Sequence, residues 1–261
     1  MMRNALVLSL STLVLVCGLA NSASAIPIGY TCIGNCGTLG ADGVVVAPPG
    51  GGTYDWVSTN GGVDLGADDL NLGAETNGSI LRSVVFSAIA GDALEFDFNF
   101  VTSDGAGFAD YVWARLTDST LTPVALLFTA RTHPTENTVP GFGMPANSAT
   151  LSPPTSPIIP GGPAWSPLGG SSGACYDAGC GYTGWIHSSY GIAANGNYIL
   201  EFGAVNWTDG LFDTGLALAG ATVGGVPIDP ANPVPEPGTM LLLGSGLAAA
   251  WRKRRQLTGR S

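Results

Sequence analysis

Leu94-Glu95-Phe96-Asp97-Phe98-Asn99-Phe100 alternates apolar and polar residues at every step. Successive side chains of a β-strand point to opposite faces, so this run buries three phenylalanines on one face and turns two carboxylates and an amide toward solvent. Asn197 to Trp207 has the same rhythm, with Tyr198, Leu200, Phe202 and Ala204 on one side. Further runs of strand character are Gly43–Ala47, Tyr54–Thr59, Ile80–Phe86, Asp110–Leu116, Val124–Ala130, Tyr182–His187 and Gly215–Thr222. No interior stretch sustains a helical period with caps, and no repeat of fixed length suggests a solenoid. Short strands separated by Gly, Asn and Asp turns predict an all-β, antiparallel β-sandwich of jelly-roll-like form over residues 26–226.

One stretch breaks the rhythm. Residues 132–170 hold nine of the eighteen prolines, Pro153-Pro154 among them. Proline cannot donate to a sheet ladder, so the expectation is an extended excursion over the surface. Aromatics near it, Trp165, Tyr176, Tyr182 and Trp185, are candidates for stacking on sugar rings. Trp165, set among prolines, is the one expected to be exposed.

Composition and charge narrow the class. The chain of 261 residues has 39 glycines and only 11% charged residues. That excludes a collagen-like chain, a coiled coil and a charge-rich disordered chain. Between Ile26 and Ala231 stand three arginines (Arg82, Arg115, Arg131), no lysine and eighteen carboxylates, a net of −15. Such a body repels phosphate backbones, so no nucleic acid is expected as a partner.

Two apolar segments bracket this body. Arg3, an apolar run from Ala5 to Leu19 and Ala23-Ser24-Ala25 form a signal peptide over 1–25, with cleavage expected between Ala25 and Ile26. At the other end, a proline-rich spacer over 227–233 precedes Val234-Pro235-Glu236-Pro237-Gly238. An apolar stretch, Thr239 to Trp251, follows, and then Arg252-Lys253-Arg254-Arg255 and a tail over 256–261. Thirteen residues span about 20 Å as a helix, short of a hydrocarbon core of about 30 Å. The segment therefore suits a transient single transmembrane helix, with its basic cluster as a cytoplasmic anchor and the body outside.

The Pro-Glu-Pro string, short apolar helix and basic cluster over 234–255 resemble the PEP-CTERM sorting domain of Gram-negative bacteria. The resemblance implies that an exosortase recognises Pro235, Glu236 and Pro237. It also implies an inner-membrane intermediate, delivery to the cell surface or extracellular space, and association with exopolysaccharide in a biofilm matrix. Thr31–Gly37, Thr76-Asn77-Gly78-Ser79, Phe100–Gly105 and Gly173-Ala174-Cys175-Tyr176 resemble an uncharacterised group of ectodomains that carry this tail. That likeness implies a surface domain and no activity.

Removal of the signal leaves Cys32, Cys36, Cys175 and Cys180. An even number in an exported chain favours disulfides. Local pairs, Cys32 with Cys36 and Cys175 with Cys180, are preferred over the crossed connectivities. Zinc is disfavoured by the spacings and by the lack of a nearby histidine. The histidines are His133 and His187, and no G-x-S-x-G occurs in the body, so no nucleophile elbow is expected. Asp104 and Asp110 flank one glycine turn, and Asp209 and Asp213 another. These four are candidates for structural calcium, against the plainer reading of turn-forming aspartates. No other cofactor is indicated. The functional expectation is a non-catalytic structural or adhesive surface protein, its partners exopolysaccharide or other matrix proteins. A secreted hydrolase acting on matrix polysaccharide is the alternative.

Overall fold

A computed structural model describes residues 26–228. The signal segment with Ala25, and the tail with Pro235, Glu236, Pro237 and Arg252–Arg255, lie outside the described residues. Fifteen strands follow in chain order: β1 (Thr31–Ile33), β2 (Asn35–Leu39), β3 (Tyr54–Ser58), β4 (Glu75–Arg82), β5 (Phe86–Ala88), β6 (Ala93–Thr102), β7 (Tyr111–Asp118) and β8 (Pro123–Arg131). After them come β9 (Thr150–Ser152), β10 (Ile159–Pro160), β11 (Gly181–Tyr182), β12 (Ile186–Gly191), β13 (Gly196–Trp207), β14 (Thr214–Val223) and β15 (Val226–Pro227).

All pairings between these strands are antiparallel. One sheet runs β1-β4-β13-β7-β8, with β5 also on β13. In the other, β2-β3-β14-β6 leads to β12 on the far edge of β6, with β9, β10, β11 and β15 as short additions. The central strands β3-β14-β6-β12 thus face β4-β13-β7-β8. The chain changes sheet at seven of its fourteen strand-to-strand steps, which gives the two-sheet order of a jelly roll.

The quoted run forms the middle of β6. Phe96, Phe98 and Phe100 enter the core between the sheets, where Phe98 stacks on Phe128 at 3.7 Å and Phe96 meets Phe202 edge to face. Its outer face differs from the expectation at Asn99, which is fully buried beneath Thr183. The strand has a second apolar layer on that outer side. Val101, Tyr54, Trp56 and Ala217 pack there against Trp165 and Leu168. On the opposite sheet, Ile80, Tyr111, Trp113 and Val205 are covered by Leu65, Leu70 and Leu72.

The proline-rich segment runs over the surface, and it is anchored there by strand pairing and by a few buried side chains. Its short strands pair at sheet edges, β9 on β12 and β10 on β11, and a 3-10 turn over Ser166–Ser171 carries Leu168 inward. Proline sits only where no ladder donor is needed, Pro160 on the edge strand β10. Trp165 is 1% exposed and its Nε1 donates to the Tyr54 hydroxyl at 2.9 Å, so it is unavailable for stacking on a sugar. Three strand expectations also change. Gly43–Ala47 is a tight turn closed by an Asp42–Val45 bridge. Ile80–Phe86 divides between β4 and β5, and Tyr182–His187 breaks between β11 and β12, where Thr183 turns its hydroxyl into the sheet to accept from the Phe100 amide.

Candidate functional site

The inner faces of four strands stay apolar until one end of the sandwich and then turn polar together. On β6 the sequence Phe98, Phe100 gives way to Thr102, and on β14 Leu218 and Leu216 give way to Thr214. On β13, Phe202 and Ala204 lead to Asn206. Ahead of β7, the side facing Ala204 and Val112 continues to Asp110. Thr102 pairs with Thr214 in register. The β13–β7 pairing ends at Val205 and Tyr111; Asn206 follows on β13, Asp110 stands directly ahead of β7, and the Trp207 amide joins them by bonding Asp110. All four residues are at most 1% exposed, and Asp104, two residues past Thr102, is 2% exposed.

Hydrogen bonds knit this layer but do not complete it. Thr102 and Thr214 share a hydroxyl contact of 2.6 Å, and the Asp104 amide donates to Thr102 Oγ1. Asp104 Oδ1 accepts from the Gly105 amide at 2.7 Å, and Asp110 Oδ1 from the Trp207 amide at 2.8 Å. The Thr214 side chain and Asp104 both lie within hydrogen-bonding reach of Asp110. Asp104 Oδ2, Asp110 Oδ2 and Asn206 Oδ1 are buried without a partner among the described residues. Burial lifts the Asp104 carboxyl to about 7, against the Gly105 amide and with help from the Asp209 charge. Burial and then the Asp104 charge hold Asp110 well above the usual carboxylate range.

The second aspartate pair divides. Asp209 is half-buried, and its Oδ1 caps its own turn by accepting from the Leu211 amide. It reaches Asp104 and Asp110 only through its field. Asp213 faces elsewhere, accepting from Ser171 at 2.9 Å and Thr59 at 3.3 Å, so it braces β14 against the proline-rich segment. Among the described residues no three His, Cys, Asp or Glu side chains gather as a metal cluster. Sequence reasoning missed Asn206. Its signal was the apolar face of β13 followed one register step further.

Loops cover the polar layer. Cys175–Cys180 and Cys32–Cys36 are both bonded, as the local pairing anticipates. The Cys175–Cys180 loop docks on the Asp104–Asp110 loop: the Ala106 amide donates to Ala178, and Tyr176 donates to the Ser103 carbonyl. A Cβ on Gly105 would lie 2.7 Å from the Asp177 carbonyl oxygen, so that approach needs glycine. Tyr176 then touches both Phe108 and Phe212, joining three loops by aromatic contacts. Beside this cover lies a cleft of about 310 Å³ between Ala106–Ala109, Arg131–Pro134 and Phe142–Gly143. Arg131 lies over the Trp207 ring at 4.4 Å and its Nε donates to the Ala109 carbonyl, while His133 stacks on Phe142 at 4.1 Å.

Catalytic groupings are weak elsewhere. His187 stands between Asp97 at 3.1 Å and Glu95 at 3.6 Å. Ser189 turns its hydroxyl to Glu95 and not to the imidazole, so this surface cluster does not form a serine–histidine relay.

The rest of the sequence carries a second kind of site. Residues 233–255 match the PEP-CTERM protein-sorting motif. The motif implies processing by an exosortase and export toward the cell surface. The match contains Pro235, Glu236, Pro237 and the basic cluster Arg252–Arg255, and it begins after the described domain ends. No curated protein matches the chain. Among solved structures, the chain is similar to the K1 cleaved adhesin domain of Lys-gingipain from Porphyromonas gingivalis, at 11% identity and TM-score 0.35, over 74% of this chain and 90% of that one. It is similar to the K3 cleaved adhesin domain of the same protein at 12% identity and TM-score 0.34, over 74% and 92%.

Proposed function

We propose that this PEP-CTERM protein is a cell-surface or extracellular-matrix component whose ectodomain acts by binding exopolysaccharide. In this reading the apolar segment from Thr239 to Trp251 holds an inner-membrane intermediate until exosortase processing releases the body to the matrix. The observation that carries the binding role is the cleft at the loop end. Its walls offer a sugar the Phe142 and His133 rings for stacking and the Arg131 guanidinium for hydrogen bonding. Phe142 is 47% exposed, and its ring is partly free for a ligand.

The same cleft supports binding over hydrolysis. Glycoside cleavage uses two carboxylates flanking the scissile bond, about 5–10 Å apart. The cleft lining contains no carboxylate, and Asp110, next to the lining residue Ala109, is buried.

The test is a glycan array, including acidic matrix polysaccharides, probed with the full chain and followed by product analysis of any bound polymer. Phe142→Ala and Arg131→Ala are expected to weaken binding about tenfold, equivalent to about 1.4 kcal/mol, with the polymer left intact. Release of oligosaccharides would establish a hydrolase instead. Binding unchanged in both variants would move the interaction away from this cleft.

A further inference from the structure

The polar layer at the end of the sandwich contains too many acceptors for its donors. Two carboxylates and one amide oxygen, on Asp104, Asp110 and Asn206, end there without partners, and each residue is at most 2% exposed. The Gly105 and Trp207 amides are used on the other carboxylate oxygens, Asn206 Nδ2 on Asn77 at 2.9 Å, and one threonine hydroxyl on the other, which leaves a single hydroxyl hydrogen, within reach of Asp110 from Thr214, for three open acceptors. A buried polar group without a partner costs about 1–3 kcal/mol, and more when charged. Two adjacent buried carboxylates within hydrogen-bonding reach of one another need either a shared proton or a cation.

We propose that Asp104, Asp110 and Asn206 hold a calcium ion that ties the Asp104 loop to β7 and β13. The donor set is oxygen only, two carboxylates and a neutral amide carbonyl, as a hard cation requires. It lacks the nitrogen and sulfur that would draw zinc. Asn206 is the independent element of the site. It is fully buried, comes directly after the last β13–β7 pair as Asp110 comes directly before β7, and its Oδ1 is the oxygen that its own hydrogen bond to Asn77 leaves over. The ion cross-links the sheets. Asn206 lies on β13 and Asp110 directly ahead of β7 in one sheet, while Asp104 lies two residues past the end of β6 in the other. The alternative occupant of the gap is a proton shared by the two aspartates, and the two differ in what happens above neutral pH.

The experiment uses the full chain in detergent at pH 8, stripped with chelator and then melted in calcium or in chelator at matched ionic strength, with calorimetric titration of calcium alone. The expected result is one ion bound per chain and a Tm raised by about 5–10 °C when calcium is near a hundredfold over Kd. Asp104→Asn and Asp110→Asn lose the shift, and Asp213→Asn keeps it. In chelator, Asp110→Asn melts no lower than the stripped parent, because it removes a buried charge. A wild-type Tm identical in calcium and chelator overturns the proposal and leaves the shared proton. A calcium shift that survives in both Asp104→Asn and Asp110→Asn also overturns it. The wild-type comparison decides the matter even if neither variant folds.

Discussion

Glu201 gathers two of the three arginines of the described domain. Its carboxylate, fully buried on β13, bonds Arg82 Nε at 2.7 Å and pairs with Arg115 on its other oxygen. Arg115 continues to the Asp68 and Asp69 carbonyls, so the ion group fastens the 65–72 loop over the outer face of the sheet. Glu201→Gln leaves two arginines facing a neutral group, and unfolding by denaturant should show a loss of about 3–5 kcal/mol. Glu75 holds the next turn of that loop. Burial would raise its carboxyl, but the Tyr111 hydroxyl and the Leu72 and Gly73 amides outweigh it and hold the group below its ordinary value. A depressed carboxyl stabilises the fold above its unfolded pKa, and the contribution is lost as pH falls through the folded pKa. Stability measured from pH 7 down to pH 2 should therefore fall less steeply in Glu75→Gln than in the parent. Neither role was legible in the sequence. Eighteen carboxylates and three arginines give a net charge, whereas the pairing depends on which strand faces carry them.

The elements read better than the contacts between them. The alternation in Leu94–Phe100 located β6 and its inner face, because period two survives any tertiary context that buries one side. It misled at Asn99, since a face with polar residues was assumed to be wet, and the neighbouring segment covers it. The burial of Trp165 within the proline-rich segment was missed for the same reason. Proline excludes a central strand, yet it leaves side chains free to pack, and Trp165 and Leu168 use that freedom to form the outer core over Tyr54 and Ala217. Trp165→Ala should cost about 3–5 kcal/mol in denaturant unfolding and expose Tyr54, whose hydroxyl is held up to about 12 by burial. The short disulfide loop is expected to act locally. Replacing Cys175 and Cys180 by serine should lower global stability by only about 2 kcal/mol. Amide exchange at Ala106 and Tyr176, which hold the loops together, should accelerate well beyond that of the core strands.

At the scale of the whole molecule, a jelly roll concentrates its loops at the ends of the sandwich, and here one end carries the polar layer, both flanking loops and the cleft. The four candidate aspartates, read from the sequence only as flanking glycine turns, lie near that end because the loops after β6 and β13 carry them. Only the side-chain contacts show that Asp104 and Asp110 meet while Asp213 turns to Ser171 and Thr59. The sorting motif was legible in full, since a linear signal read by an enzyme needs no tertiary partner. The account rests on the joining of this domain to that tail, and the most direct measurement is intact mass of the protein recovered outside the producing cell. A chain that begins at Ile26 and lacks everything from Thr239 onward is the predicted result. Extracellular protein that still yields peptides from Met240 to Arg255 would contradict it.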